Sequence, residues 1–296
     1  MSGTIAGMAE FLTEPVPHKQ AANYIRDKII VGNEIFNALP QRWRNKAFAT
    51  AATTNWRILD RIREACAQVP EGADWEETRS NISDDLMSDN LTCLMFEGSG
   101  DENAEANCTR QAELIMRMNI GQAYSATKTE VLDKHADVFP YRQYLCMEDG
   151  KVRPSHAALH GLIFPADHPF WETHTPPWDF NCRCTIAGVM ADEVDEIADE
   201  EQDLPPEQSS VLDEGTLDAI DKTGMLVRGN QVFDIRTPAQ KKPGGYEWSP
   251  RAVSQSAEEI VSQLSPETRE EFVAWARETI VPEGGQTVWE WMGGRV

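Results

Sequence analysis

The stretch FPYRQYLC, Phe139 to Cys146, is where the reading of this 296-residue chain turns. Its aromatic and aliphatic residues are bounded by Pro140 and a following polar segment, a pattern of strand rather than helix. GLIFP, from Gly161, and RCTIAGV, from Arg183, have the same character, so three short strands are expected between residues 139 and 190.

Upstream, the pattern is helical. In NWRILDRIREACAQV, Trp56, Leu59, Ile62 and Cys66 recur at steps of three and four, the apolar stripe of an amphipathic helix. A second, longer helix is expected through RQAELIMRMNIGQAYSATKTEVLDKH, with Leu114, Met118, Gly121 and Tyr124 on one face. A shorter one is expected over HKQAANYIRDKI, and a loop over residues 97–107, where turn residues replace periodicity.

Downstream, residues 191–214 carry eleven acidic side chains and no basic one, with Pro205-Pro206 near the middle. A solvated helix face running into a flexible linker is the expectation. Beyond it, GMLVRGNQVFDIR places Gly229-Asn230 between two short apolar runs, a hairpin signal. Ser265-Pro266 then opens a helix expected to bury Phe272, Trp275 and Ile280. The fold class is therefore α+β. The expected division is residues 1–195, helical over 1–138 with an α+β core over 139–190, then an acidic linker over 191–215 and a small α+β module over 216–296.

A net charge of −22 repels phosphate, and no run of Lys or Arg offsets it, so sequence-specific nucleic acid is not an expected partner. No stretch approaches the roughly 18 apolar residues of a membrane span, and the first fifteen residues lack the pattern of a secretory signal. Six cysteines in a chain of this size do not form a disulfide framework, which points to reduced thiols in a cytosolic setting.

Chemistry concentrates in one place. PSHAALHG carries His156 and His160 four apart, and PPWDFNCRC ends on Cys182 and Cys184 two apart. On a helical turn the two histidines share a face, and on a strand the two sulfurs point the same way, so all four could grip one zinc ion as a closed structural site. Cys146, His168 and His174 are alternative fourth ligands. A catalytic metal fits less well. Ala157 stands where H-E-x-x-H metalloproteases hold their glutamate base, and Ala158 where zinc deaminases hold theirs.

Taken as one block, residues 139–189 resemble the Mu protein F-like family, the minor head or head-morphogenesis proteins of tailed phages. The resemblance rests on Asp149, Val152-Arg153-Pro154, His156 and Leu159-His160-Gly161. It continues through Asp167-His168-Pro169-Phe170-Trp171 and Pro176-Pro177 to Cys182-Arg183-Cys184. An upstream helix with Arg110, Arg117, Ala123 and Tyr124 fits the same pattern. The resemblance implies a virion protein assembled in the host cytoplasm, with the portal as partner and scaffold or major capsid protein as further candidates. It implies association with the portal vertex, a role in DNA packaging or ejection, and no enzyme activity. It also implies Cys or His at position 156 and the closing C-R-C, whereas His160 stands where many members have Asp. The competing reading is a metal-dependent nuclease or hydrolase built on the same His/Cys cluster.

Overall fold

The computed structural model describes residues 18–32, 41–50, 55–88, 104–147, 149–242, 266–280 and 285–291, with a few single positions between these spans. Helix α1 (Lys19–Arg26) is followed by a two-residue parallel pair, β1 (Ile29–Ile30) with β2 (Ala47–Phe48). Three helices come next: α2 (Trp56–Gln68), α3 (Trp75–Ser88) and the 31-residue α4 (Ala104–Lys134).

In α2 the Asn55 side chain accepts from the Arg57 N–H, satisfying a first-turn donor. Ile58, Leu59, Ile62, Cys66 and Ala67 form its buried stripe. Trp56, expected in that stripe, is exposed, because it occupies the first turn, beyond the reach of the neighbouring helices, with the Arg57 guanidinium over its ring. Helix α4 buries more than one face. Cys108, Ala112, Ile115, Met116 and Ala123 pack with α1, α2 and α3, whereas Leu132 belongs to a second core against the sheet. The predicted face is rotated accordingly: Met118 is buried, but Tyr124 stands exposed. The expected loop over 97–107 ends earlier than predicted, since Ala104 to Asn107 form the first turn of α4; residues 97–103 lie outside the described residues.

Four thiols, Cys66, Cys146, Cys182 and Cys184, are free, but Cys108 is disulfide-bonded, which departs from the expectation of uniformly reduced cysteines.

A buried cation ties the helical layer to the rest. Lys28 donates from Nζ to Asn119 Oδ1 (2.9 Å) and Gln122 Oε1 (2.7 Å) of α4. Gln122 donates in turn to the Tyr246 hydroxyl, which donates to the Pro177 carbonyl. Burial pushes the Lys28 ammonium from its ordinary 10.5 to about 7. Between those values the unfolded chain holds a proton that the folded chain has released, so stability rises with pH from about 7 toward 10. Below pH 7 both states are charged and the cost of burial is felt in full. In Lys28→Met, urea midpoints measured at about pH 7 and pH 9 should differ less than in the parent; an unchanged difference would assign the slope to another group.

The sheet follows α4: β3 (Tyr141–Leu145), β4 (Ile163–Pro165) and β5 (Thr185–Val189), antiparallel in the order β4-β3-β5. All three were expected. Gly188 on β5 is required by close approach, because a Cβ there would sit 2.6 Å from Leu132 of α4 and 2.9 Å from Phe139. One face of the sheet carries the second core: Tyr144, Leu159, Leu162, Phe164, Phe170, Trp171, Trp178 and Ile186. The Trp171 indole N–H donates to the Pro165 carbonyl at 2.9 Å. Of the expected apolar cluster, Trp171, Pro176, Pro177 and Trp178 are buried, but Phe180 is exposed.

The acidic segment is not a free linker in this structure. Its first half is helix α5 (Ala191–Glu200), which buries Val194 and packs Ile197 against Ile163 and Val189. Its second half lies along β4: Ile163 donates to the Ser210 carbonyl (2.9 Å), and Glu201 accepts from the Ser210 N–H (2.6 Å). Among the described residues beyond 215, several join the second core. Ile220 of α6 (Glu214–Thr223), Leu226 of β6 (Met225–Arg228) and Ile235, just after β7 (Gln231–Asp234), are buried among Trp171 and Phe164. The hairpin β6–β7 turns at Gly229-Asn230 as expected, with Gly229 at φ +56°.

Helix α7 (Pro266–Glu278) packs Phe272 and Ala276 with Val288, Trp289 and the early residues Val31, Leu39 and Ala47. Ser265 lies outside the described residues, Trp275 is partly buried, and Ile280 is exposed, because it falls past the end of α7 in an isolated bridge to Thr287. Among the described residues, no helix is long and apolar enough to cross a membrane.

Candidate metal centre

The sheet register builds the centre. Leu145 pairs with Thr185 at the end of the β3–β5 ladder, so Cys146 and Cys184 face each other one step beyond it. Cys182 arrives two residues earlier through a turn closed by its N–H on the Asp179 carbonyl (3.2 Å), with Asn181 at φ +57°. His156 comes from a single helical turn, Pro154–Ala157, which starts on a proline whose missing N–H costs nothing there.

The His156 Nδ1, Cys182 Sγ and Cys184 Sγ atoms lie within 4.8 Å of one another. Nδ1 is 3.6 Å from Cys182 Sγ and 3.7 Å from Cys184 Sγ, and Cys184 Sγ is 3.5 Å from Cys146 Sγ. Zinc bonds of about 2.3 Å to sulfur and about 2.0 Å to nitrogen give tetrahedral edges of roughly 3.6 Å (S to N) and 3.8 Å (S to S). The separations from His156 Nδ1 match that size, so His156, Cys182 and Cys184 could hold a zinc ion, with Cys146 beside Cys184 and donating from its thiol to the His156 carbonyl at 3.0 Å.

Neither His160 nor Cys146 joins the three donors that come together, and of the two it is Cys146 whose sulfur lies beside Cys184. The helix at His156 is only one turn long, so the assumed shared face for residues 156 and 160 does not exist. His160 instead accepts the Cys146 backbone N–H at Nδ1 (2.9 Å), positioning that residue from behind. His168 Nδ1 is occupied by the Phe170 N–H. Both ring nitrogens of His174 are engaged, by Thr173 (2.8 Å) and the Ile235 carbonyl (2.7 Å), and burial pushes its imidazolium down to about 4.

The surroundings hold the donors rigidly. His156 is 2% exposed and stacks on Trp178 at 3.9 Å and 11°. The Trp178 indole donates to the Tyr144 hydroxyl (2.8 Å), which in turn is hydrogen-bonded to Cys184. Arg183, between the two cysteines, is paired with Asp149 and holds that carboxyl down at about 2, while Arg153 donates to the Phe180 carbonyl (2.9 Å). None of Tyr144, Trp178 or the Asp149–Arg183 pair was expected to serve the site. Aromatic residues near a cysteine carry no spacing signal, and the pairing of Asp149 with Arg183 spans 34 residues.

The thiols crowd one another. The hydrogen bond with Cys146 is the first cause that pushes Cys184 up to about 11, and Cys184 together with burial drives Cys182 well above the usual thiol range. A divalent cation reverses that penalty by stabilising the thiolates together. The His156 Nε2 atom is buried without a hydrogen-bond partner. No carboxylate stands at 157 or 158 to serve as a base.

An α+β chain with a helical layer, a three-stranded sheet and a His/Cys cluster at the sheet's end is the class defined by this geometry. Residues 58–187 match the family described as Phage Mu protein F like protein, so over that region the chain is similar to the Mu protein F-like family. The chain is 32% identical over 189 residues to protein F of Escherichia phage Mu, a protein named for capsid assembly; this covers 62% of the chain and 42% of that protein. It is 32% identical over 145 residues to the Mu-like prophage FluMu F protein of Haemophilus influenzae, covering 49% of the chain and 35% of that protein. The matches thus span less than half the length of either relative. No solved structure matches the chain.

Proposed function

We propose that this chain is a minor head protein of a tailed phage, acting in head morphogenesis at the portal vertex, and that its His/Cys cluster holds a structural zinc ion. The observation that carries the reading is the extent of the family match. Residues 58–187 take in α2 except its first two residues, α3, α4, all three strands of the sheet except the last two residues of β5, and Cys146, His156, Cys182 and Cys184. The metal clips the start of an irregular segment, at Cys146 and His156, to its end at Cys182 and Cys184. Such a segment loses much conformational entropy on ordering, and a cross-link offsets that cost. It performs no chemistry on a substrate.

The partner in this reading is the portal protein, with scaffold or major capsid protein as further head contacts. A chain of net charge −22 contacts these partners through apolar burial and not through phosphate. Coexpression with the portal protein of the same phage, followed by affinity capture at about 50 mM and about 300 mM salt, should retain the portal at both, because burial is not screened. Loss of the portal at both salts, together with tight duplex DNA binding that falls steeply with salt, would reverse the assignment.

A further inference from the structure

Two of the sulfurs at the centre are also placed for a different bond. Cys146 and Cys184 occupy directly opposed positions on the antiparallel strands β3 and β5, one step past the Leu145–Thr185 pair. Their Sγ atoms are 3.5 Å apart, and the Cys184 thiol donates to the Cys146 sulfur. Opposed residues on antiparallel strands hold their Cβ atoms about 4.5–5.5 Å apart, close to the roughly 3.5–4.5 Å a disulfide needs.

We propose that Cys146 and Cys184 form an oxidisable pair, closed to a disulfide across β3 and β5 by a small peroxide. The inference rests on the metal reading in one respect: bound zinc engages the same sulfurs and excludes the cross-link. One thiol, as thiolate, attacks the peroxide O–O bond, which breaks to give a sulfenic acid and hydroxide; the displaced hydroxide takes up the thiol's proton as water. The neighbouring thiol then attacks the sulfenic sulfur, the S–S bond forms, the S–O bond breaks, and a second water leaves. Two thiols are oxidised and one peroxide is reduced to two waters.

Access is provided from one side. Cys182 and Cys184 line a groove of about 580 Å³ that also carries Arg117, Lys128 and Arg183. Cys66 is the internal contrast: it is fully buried in the helical core. The site thus has two closed states that share sulfurs, a metal clip under reducing conditions and a covalent clip under oxidising ones. Both tie β3 to β5.

The sequence supplies a clean readout. Trypsin releases Cys146 within residues 143–151 and cuts after Arg183, which separates Cys182 from Cys184. Full-length chain, reduced and stripped of zinc, is treated with one equivalent of hydrogen peroxide, denatured in the presence of the alkylating reagent and digested without reductant. The expected product joins residues 143–151 to the peptide that begins at Cys184, with Cys66 recovered alkylated as a sign that the fold persisted. Cys182→Ser should keep this product and Cys146→Ser should lose it. A dominant link to Cys182, a Cys182–Cys184 link or no link at all would overturn the proposal. Pre-loading with one equivalent of zinc chloride should slow the cross-link at least about tenfold, and an equal rate in a chain shown to have bound the zinc would remove the mutual exclusion and the proposal with it. The two readings fail separately: a chain that takes up no zinc but forms the Cys146–Cys184 link refutes the metal clip alone, and one that binds zinc but never cross-links refutes the oxidisable pair alone.

Discussion

Purified without chelator, the chain should carry close to one zinc per molecule, and removing it should lower stability by more than about 4 kcal/mol, the range in which lost metals and disulfides fall. For a chain of this size that is a fall in melting temperature of roughly 10 °C. The reason is the state that remains. Without a cation, Cys146, Cys182 and Cys184 crowd a half-buried site as three thiols, and the segment between residues 146 and 182 loses the cross-link between its two ends. Cys184→Ser should reproduce most of the loss, since Cys184 lies near both Cys146 and His156. His160→Ala should retain the metal, because His160 acts on the Cys146 backbone. Elemental analysis after dialysis and calorimetry with and without chelator measure both effects. Metal far below one equivalent, with Cys184→Ser melting like the parent, would leave the cluster as three ordinary thiols and a histidine.

What was legible in the sequence follows from the range of each signal. The strands at Tyr141, Ile163 and Thr185 and the hairpin at Gly229 were readable because local composition and turn chemistry decide them. Helix α2 was readable because it buries a single stripe. Helix α4 was located, but its face was misread, because it lies between two cores and its apolar residues do not fall on one line. At the candidate centre, the convergence of His156, Cys182 and Cys184 was legible from spacing, whereas the placing of Cys146 beside Cys184 needed the β3–β5 register, a pairing across 38 residues. Composition misled most in the acidic segment. Eleven carboxylates read as solvent-exposed, and most are, but Val194, Ile197 and Val211 between them dock on Ile163 and Val189. Three apolar residues among that many charges barely register in a composition count, yet they hold the segment to the sheet.

The boundary after residue 195 gives the largest expected effect. A chain ended there loses Ile220, Leu226 and Ile235, all nearly fully buried against Trp171 and Phe164, and it also loses the Ile235 carbonyl that holds His174. Deleting a buried aliphatic side chain costs about 2–5 kcal/mol, so three together remove about 6–15 kcal/mol, as much as the net stability of an ordinary domain. The truncation also strips Ser210 and Val211 from the free edge of β4, leaving the Ile163 N–H without its partner. Residues 1–195 produced alone should therefore be insoluble, or soluble with strong dye binding to exposed apolar surface and no cooperative melting. A chain ended after Lys242 keeps all three aliphatics and should retain the near-ultraviolet signature of the packed Trp171 and Trp178. If residues 1–195 instead proved soluble, melted cooperatively and matched that signature, the helical layer and the sheet would be a self-sufficient unit, and the residues beyond 195 would be covering a core that does not need them.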